Sequence, residues 1–211
     1  MSWQEFTALF VFCTAMSFSP GPNTTLATAL AANHGLKRAL PFCLAVPAGW
    51  TLLMLACGLG LGALITGMPA LRLAVKVAGI GYMLWLAFKL IGVRFQLNPP
   101  GGKTSLPPFK ENTPQMNISF VQGVLLQFVN IKAWLLALTL AAGWVAPGTN
   151  PGERLAIVCV TMVGFAFSSN FTYALVGSAL RQWLGQGSRL AWFNRALACV
   201  LIATAVWMVT V

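Results

Sequence analysis

Long apolar runs alternate with short polar stretches along the whole chain, and this pattern predicts membrane-spanning helices. An apolar run of about 18 or more residues is long enough to cross a bilayer as a helix. The runs predict spans at about residues 5–32, 39–66, 70–91, 118–145, 154–180 and 190–211. We therefore expect an all-α integral membrane protein with six transmembrane helices.

One polar stretch, residues 94–117, separates the first three predicted spans from the last three. Its prolines and glycines, including Pro99-Pro100-Gly101-Gly102, are typical of a linker rather than of a packed domain. The expected organisation is a first three-helix repeat at 1–93, a cytoplasmic linker at 94–117 and a second three-helix repeat at 118–211.

The two halves resemble each other at an offset of 110 residues, where Phe10 aligns with Phe120 and Leu26 aligns with Leu136. Each half holds three predicted spans, and an odd number places the two halves in opposite orientations across the membrane. The sequence thus predicts two inverted repeats, an arrangement found in many secondary transporters.

The stretch Ser19-Pro20-Gly21-Pro22 interrupts the first apolar run. A helix cannot run unbroken through Pro-Gly-Pro, because the prolines lack an N–H donor and the glycine is permissive. The repeat aligns this interruption with Asn130-Ile131-Lys132 in the fourth span. Irregular backbone at that depth is tolerated only where protein buries it or a water-filled cavity solvates it. We expect the first and fourth helices to be broken near the midplane, with a substrate site where the two breaks meet.

Composition excludes a soluble domain, because 58% of the residues are hydrophobic, the mean hydropathy is +0.78 and only 8% of the residues are charged. The net charge of +10 forms no patch for nucleic acid, since the basic residues stand singly or in pairs between apolar runs. We therefore expect a lipid bilayer, and no nucleic acid, as the partner of this chain.

The distribution of basic residues predicts the orientation by the positive-inside rule. More of them lie in or beside the loops after spans one, three and five than on the opposite side, so both termini are expected in the periplasm of a bacterial inner membrane. The first group is Lys37, Arg38, Lys89, Arg94, Lys103, Lys110, Arg181, Arg189 and Arg195, and the second is Arg72, Lys76 and Arg154.

The sequence lacks the residue patterns of an enzyme or a metal site. Its acidic residues, Glu5, Glu111 and Glu153, fall at predicted span ends or in loops, and its cysteines form no CxxC pair. We therefore expect no catalytic residue, no cofactor and no metal. A membrane thiol-redox conductor and a channel or structural membrane subunit are the alternatives from other classes.

Lys132 lies near the middle of the fourth predicted span, about 14 residues or ~20 Å from either end at the rise of a helix. An unpaired charge at that depth costs roughly 2.5–3.5 kcal/mol even on the lenient insertion scale. Two functional interpretations follow: Lys132 binds a substrate carboxylate, or it exchanges a proton. The structural alternative is a lysine satisfied by carbonyl groups at a helix break.

Other polar residues lie at a similar level in the predicted spans. The helix that resumes after Pro22 directs free N–H groups and a positive dipole end towards the break, which suits a carboxylate. Asn23 and Asn130 flank the breaks and can either cap a helix end or bind a zwitterion. The predicted substrate-binding residues are Pro22, Asn23, Gln127, Asn130, Lys132, Asn170 and Tyr173.

The motif at Ser19–Asn23 resembles that of the LysE/RhtB family of amino-acid exporters, and the resemblance covers the whole chain. Many members have Asn-Pro-Lys in the fourth span, where this chain has Asn130-Ile131-Lys132. In this respect it is similar to the branch that exports cysteine and O-acetylserine. The resemblance implies a secondary transporter for such substrates, with homoserine, threonine or leucine as the nearest rivals.

The residues themselves favour a small neutral amino acid as substrate. No predicted span holds a carboxylate that could neutralise a cationic side chain. The energy source of transport is left open among three alternatives: a proton is carried by Lys132, a proton is carried by the substrate, or transport is only facilitated. A homodimer is also left open, since Gly58-x-Gly60-x-Gly62 can pack within one chain or across a dimer.

Overall fold

The computed structural model describes residues 1–58, 60, 67–92, 118–147, 149–186 and 188–210, and in these ranges the chain is helical. The predicted linker at 94–117 and most of the end of the second predicted span lie outside the described residues. The helices are α1 (Trp3–Phe18), α2 (Pro22–His34), α3 (Leu36–Gly58), α4 (Pro69–Gly92), α5 (Phe120–Val129), α6 (Ile131–Leu140, continued by a π-helical turn at Ala141–Val145), α7 (Pro151–Leu184) and α8 (Arg189–Thr210).

Four of these helices, α3, α4, α7 and α8, are long and apolar enough to cross a membrane. The pair formed by α5 and α6 with its π-helical turn is bent by 69° and counts as a fifth span if it crosses as one unit. These helices confirm an all-helical protein with several spans. The first predicted span consists of the shorter helices α1 and α2, so the six-span inverted repeat stays a prediction.

The chain leaves the helix at the Pro-Gly-Pro stretch, as the sequence predicts. Helix α1 ends at Phe18, and Ser19 follows in an extended conformation. Helix α2 begins at Pro22, where the missing N–H of proline costs nothing because the first N–H groups of a helix have no intrahelical partner. Thr24 Oγ1 accepts a hydrogen bond from the Gly21 N–H at 3.0 Å, which fixes the start of α2.

The fourth predicted span is also broken, although it has no proline at this place. Asn130 is extended, and its Oδ1 accepts a hydrogen bond from the Lys132 N–H at 3.1 Å, which caps the start of α6. The Trp134 indole N–H donates to the Phe128 carbonyl at 2.8 Å and satisfies an acceptor that the break leaves without a helical partner. Asparagine and tryptophan thus stabilise a break in a stretch that contains no proline.

Helix α2 is the most deeply buried element, since nearly all of its side chains from Pro22 to Asn33 are shielded. It packs against α7, where a Cβ at Gly177 would collide with the Thr28 carbonyl. Helices α3 and α5 approach as closely, because a Cβ at Gly49 would lie 2.6 Å from the Val124 carbonyl oxygen. Small residues bring the backbones together, as is common between membrane helices. Gly58 likewise faces Leu155 of α7 within the same chain. The homodimer that its glycine series could also form stays a prediction.

A polar cluster fixes the first turn of α1 to the start of α7. Arg154 forms a bidentate ion pair with Glu5 at 3.1 Å and donates to the Trp144 carbonyl at 3.1 Å. The Trp144 indole N–H donates to the Glu5 carbonyl at 3.0 Å, and Ser2 forms a capping box with Glu5. This cluster holds the first turn of α1. At the opposite end of α1, Ser19 contacts Lys132 of α6.

Candidate functional site

The two helix breaks meet at the side chain of Lys132. Its ammonium donates to Ser19 Oγ at 2.6 Å and to the Ser19 carbonyl at 3.1 Å, 113 residues away in the sequence. Gly21 leaves room for it, because a Cβ there would lie 3.3 Å from Lys132 Nζ. An ammonium has three donors, and the described residues accept two. The charge therefore lies in the gap between the end of α1 and the start of α2.

A cavity of about 60 Å³ opens beside this ammonium. A single buried water requires ~10–15 Å³ by this measure, so the cavity is large enough to hold water. Five helices contribute to its wall, and one face of α7 supplies residues one helical turn apart. The lining residues are Met16, Ser17, Ser19, Gly21, Pro22, Asn23, Thr24, Val46, Trp50, Asn130, Lys132, Ala133, Leu136, Met162, Ala166, Ser169 and Asn170.

The structure brings most of the predicted binding residues together at this cavity. Pro22, Asn23, Asn130, Lys132 and Asn170 all line it. They come from α2, α6, α7 and the residue between α5 and α6. These residues are therefore placed to contact one small ligand, and their roles in binding stay predictions.

Gln127 lies behind the cavity wall rather than in it. It is fully buried, and its amide pairs reciprocally with Asn23: the Asn23 Nδ2 donates to Gln127 Oε1 at 2.8 Å, and the Gln127 Nε2 donates to Asn23 Oδ1 at 3.2 Å. The Gln127 Nε2 also donates to the Gly123 carbonyl at 3.1 Å. Gln127 is thus placed to orient the Asn23 amide.

Tyr173 does not line the cavity. Its hydroxyl donates to the Phe18 carbonyl at 2.9 Å and satisfies one of the last carbonyl groups of α1. The structure therefore gives Tyr173 a contact with the end of α1, next to Ser19. A contact between Tyr173 and a ligand stays a prediction.

The charged and dipolar groups of the cavity favour an anionic group. Lys132 supplies a positive charge, and the start of α2 supplies the positive end of a helix dipole. No carboxylate lines this cavity in the part of the chain that the structure describes. Nor do three His, Cys, Asp or Glu side chains group as a metal site within those residues. The arrangement suits a ligand whose carboxylate meets Lys132.

Three buried polar atoms of the cavity residues have no hydrogen-bond partner among the described residues: Ser17 Oγ, Trp50 Nε1 and Asn170 Oδ1. A buried unpaired donor or acceptor costs about 1–3 kcal/mol. Trp50 donates only, the Asn170 oxygen accepts only, and the Ser17 hydroxyl does both. The residues that line the cavity therefore carry donors and acceptors that the described protein leaves unpaired.

Trp50 is a cavity residue that the sequence prediction missed. It belongs to α3, is 3% exposed, and its ring is part of an apolar cluster with Ala133 and Met162. Tryptophan is enriched where membrane and water meet. Its place inside the second predicted span, more than about ten residues from either end, is a signal that was available in the sequence.

The site and the fold match a known family. The sequence profile of the LysE type translocator family matches residues 14–210, which is nearly the whole chain. A cysteine/O-acetylserine efflux protein of Klebsiella pneumoniae is 28% identical over 204 residues and covers 96% of each chain. The protein of the same name from Escherichia coli strain K12 is 28% identical over 202 residues and covers 95% of each chain. No solved structure matches the chain.

This match confirms the family that the motif at Ser19–Asn23 indicates. It extends over both helix breaks and over every residue that lines the cavity. The chain belongs to the family of LysE type translocators.

Proposed function

We propose that this chain is a secondary transporter that exports small neutral amino acids or their derivatives across a bacterial inner membrane by alternating access. The family is one of translocators, and the two relatives described above are named as efflux proteins for cysteine and O-acetylserine. Cysteine and O-acetylserine are therefore the proposed substrates. Homoserine, threonine and leucine are the alternatives within the same family.

The observation that carries this proposal is the position of the Lys132 ammonium where two helix breaks meet beside a polar cavity. A substrate carboxylate takes the place of Ser19 and forms an ion pair in which both partners are charged, whereas the bonds to Ser19 carry charge on the donor alone. The start of α2 at Pro22 and Asn23 contributes its dipole to the same carboxylate. The unpaired Asn170 Oδ1 accepts from the substrate ammonium, and Asn130 holds the break that places Lys132.

A neutral side chain suits this cavity better than a cationic one. A lysine or arginine substrate brings a second positive charge next to Lys132, and like charges at close range repel. No carboxylate among the described lining residues could offset that repulsion. The same cavity therefore favours a zwitterion without net charge.

In the proposed architecture the chain crosses the membrane six times. Two of the six spans are broken: one consists of α1 and α2, and the other of α5 and α6. The two halves form inverted repeats with both termini in the periplasm and the linker in the cytoplasm. Support comes from the convergence of the two breaks, which inverted-repeat transporters also show. The proposal leaves open whether the chain forms a homodimer and whether transport is coupled to protons. Efflux measured with and without a pH gradient tests the coupling to protons.

Efflux from proteoliposomes tests the function directly. Wild-type protein should release preloaded cysteine and O-acetylserine with saturable kinetics, whereas Lys132→Ala should insert normally and release neither. Lys76→Ala is the matched control, because Lys76 donates to the Val209 carbonyl at 2.8 Å and does not line the cavity. Non-saturable release by the wild type indicates a channel, and wild-type efflux from Lys132→Ala contradicts the proposed role of this residue.

A further inference from the structure

The residues that line the cavity carry two unpaired groups that the binding of an amino-acid backbone leaves unused, the hydroxyl of Ser17 and the indole N–H of Trp50. Lys132 and the start of α2 match a carboxylate, and the Asn170 Oδ1 matches an ammonium. These groups recognise what all amino acids share. Of the two, the Ser17 hydroxyl can donate or accept, whereas the indole N–H of Trp50 can only donate, and among the described residues it has no acceptor.

The apolar environment of Trp50 makes it costly to leave this donor without an acceptor. Its ring is 3% exposed and belongs to an apolar cluster with Ala133, Leu136 and Met162, each of which also lines the cavity. Val46, one helical turn earlier on α3, lines the cavity as well. An indole N–H can only donate, so only an acceptor satisfies it, and no described residue supplies one. A buried donor without an acceptor is strongly disfavoured where the protein lies in lipid.

We infer that Trp50 is a specificity-determining residue, whose indole N–H donates to a hydrogen-bond acceptor on the side chain of the exported amino acid. This inference rests on the proposed function and deepens it. It assigns the transporter to substrates whose side chain ends in a hydroxyl or a carbonyl oxygen. Aliphatic side chains of equal size leave the donor unpaired, which is how a site built for a hydroxyl rejects the analogue that lacks it.

The same contact ranks the two substrates that the relatives' names give. The acetyl ester of O-acetylserine ends in a carbonyl oxygen, which accepts hydrogen bonds well, whereas the thiol sulfur of cysteine accepts them weakly. Trp50 therefore favours O-acetylserine over cysteine. Leucine, one of the alternatives within the family, is disfavoured for the same reason.

Pairs of amino acids that differ by one hydroxyl test the inference. Proteoliposomes are preloaded with homoserine or norvaline, with threonine or valine, and with serine or 2-aminobutyrate. Wild-type protein should prefer the hydroxyl member of each pair by about tenfold in the ratio of efflux rates at low concentration, since an unpaired donor costs about one decade of affinity. Trp50→Phe keeps the ring and removes the donor, so it should bring each ratio close to one.

Trp134→Phe is the matched control. Trp134 belongs to the same apolar cluster and is 6% exposed, but its N–H is already used by the Phe128 carbonyl at 2.8 Å. This variant should change the efflux of both members of a pair alike and keep their ratio. Cysteine and O-acetylserine, measured in the same set, should show the larger loss for O-acetylserine in Trp50→Phe.

The outcomes separate this inference from the function on which it rests. Wild-type protein that exports both members of every pair equally overturns the role of Trp50 but leaves the exporter intact, as does a preference that survives in Trp50→Phe. Wild-type protein that exports no amino acid overturns the proposed function and this inference with it. If Trp50→Phe does not fold, the melting temperature of the detergent-solubilised wild type is measured with each member of a pair. Greater stabilisation by the hydroxyl member supports the inference, and equal stabilisation by both members contradicts it.

Discussion

Separating Asn23 from Gln127 tests how the wall of the cavity is held. The two amides join α2 to α5 through reciprocal hydrogen bonds of 2.8 and 3.2 Å. Asn23 lines the cavity, and Gln127 is fully buried behind it. Gln127→Ala therefore removes the support of Asn23 without removing any atom that a ligand contacts.

The size of the effect follows from these two bonds. Hydrogen bonds between side chains of membrane helices contribute about 0.6 kcal/mol on average and ~1.7 kcal/mol at most. Two reciprocal bonds should thus give a coupling energy of about 1 kcal/mol. Asn23→Ala and Gln127→Ala should each lower the free energy of unfolding by about 1–3 kcal/mol, because each leaves a polar partner unpaired. The double variant should lose about 1 kcal/mol less than the sum of the two.

Unfolding in mixed micelles with increasing detergent measures these energies, and initial efflux rates give KM. Gln127→Ala should raise KM several-fold, nearly as much as Asn23→Ala, because the Asn23 amide is free to rotate. The buried pair Asn33 and Asn194 is a matched control: it has the same reciprocal geometry, at 2.9 and 3.0 Å, and does not line the cavity. Asn194→Ala should lower stability and leave KM unchanged. Strictly additive energies for Asn23 and Gln127, or an equal rise of KM in Asn194→Ala, refute the reasoning.

Two further substitutions test contacts around the site. Tyr173→Phe removes one hydrogen bond to the Phe18 carbonyl and should cost about 1 kcal/mol in the free energy of unfolding; a raised KM supports the predicted contact of Tyr173 with the substrate, and an unchanged KM contradicts it. Gly177→Val places a side chain against the Thr28 carbonyl, where α2 and α7 touch, and should lower the free energy of unfolding by about 1–3 kcal/mol; a thermal melting curve equal to that of the wild type contradicts this close approach.

The break in the first predicted span follows from local chemistry, so the sequence suffices to place it. Pro20 and Pro22 remove two N–H donors within three residues around a permissive glycine, which strongly disfavours a continuous helix, and α2 begins at Pro22. The break at Asn130 is different, because Asn-Ile-Lys does not itself stop a helix. Only the alignment of the two halves pointed to it, and the bond from Trp134 that stabilises it depends on the folded arrangement.

Contacts between distant residues could not be derived from the pattern of the chain. Asn23 and Gln127 are 104 residues apart, and a prediction that both lie near one level does not say that one supports the other. The same holds for Tyr173. Its position in a predicted helix gives its depth in the membrane but does not say which neighbouring group its hydroxyl contacts. Trp50 was missed because an aromatic residue in an apolar run resembles ordinary core; its distance from both span ends is a weak signal in the sequence, and its unpaired donor is visible only in the fold.

The contact between Lys132 and Ser19 bears on how tightly an exporter of this design holds its cargo. Where an incoming carboxylate displaces Ser19, as proposed, the net binding energy is that of the ion pair less that of the two hydrogen bonds to Ser19, and only the third ammonium donor binds without this loss. Such an exchange gives weak affinity and rapid unloading. If the proposed function holds, we expect export mainly when the substrate accumulates to high concentration inside the cell, with little loss of the ordinary pool.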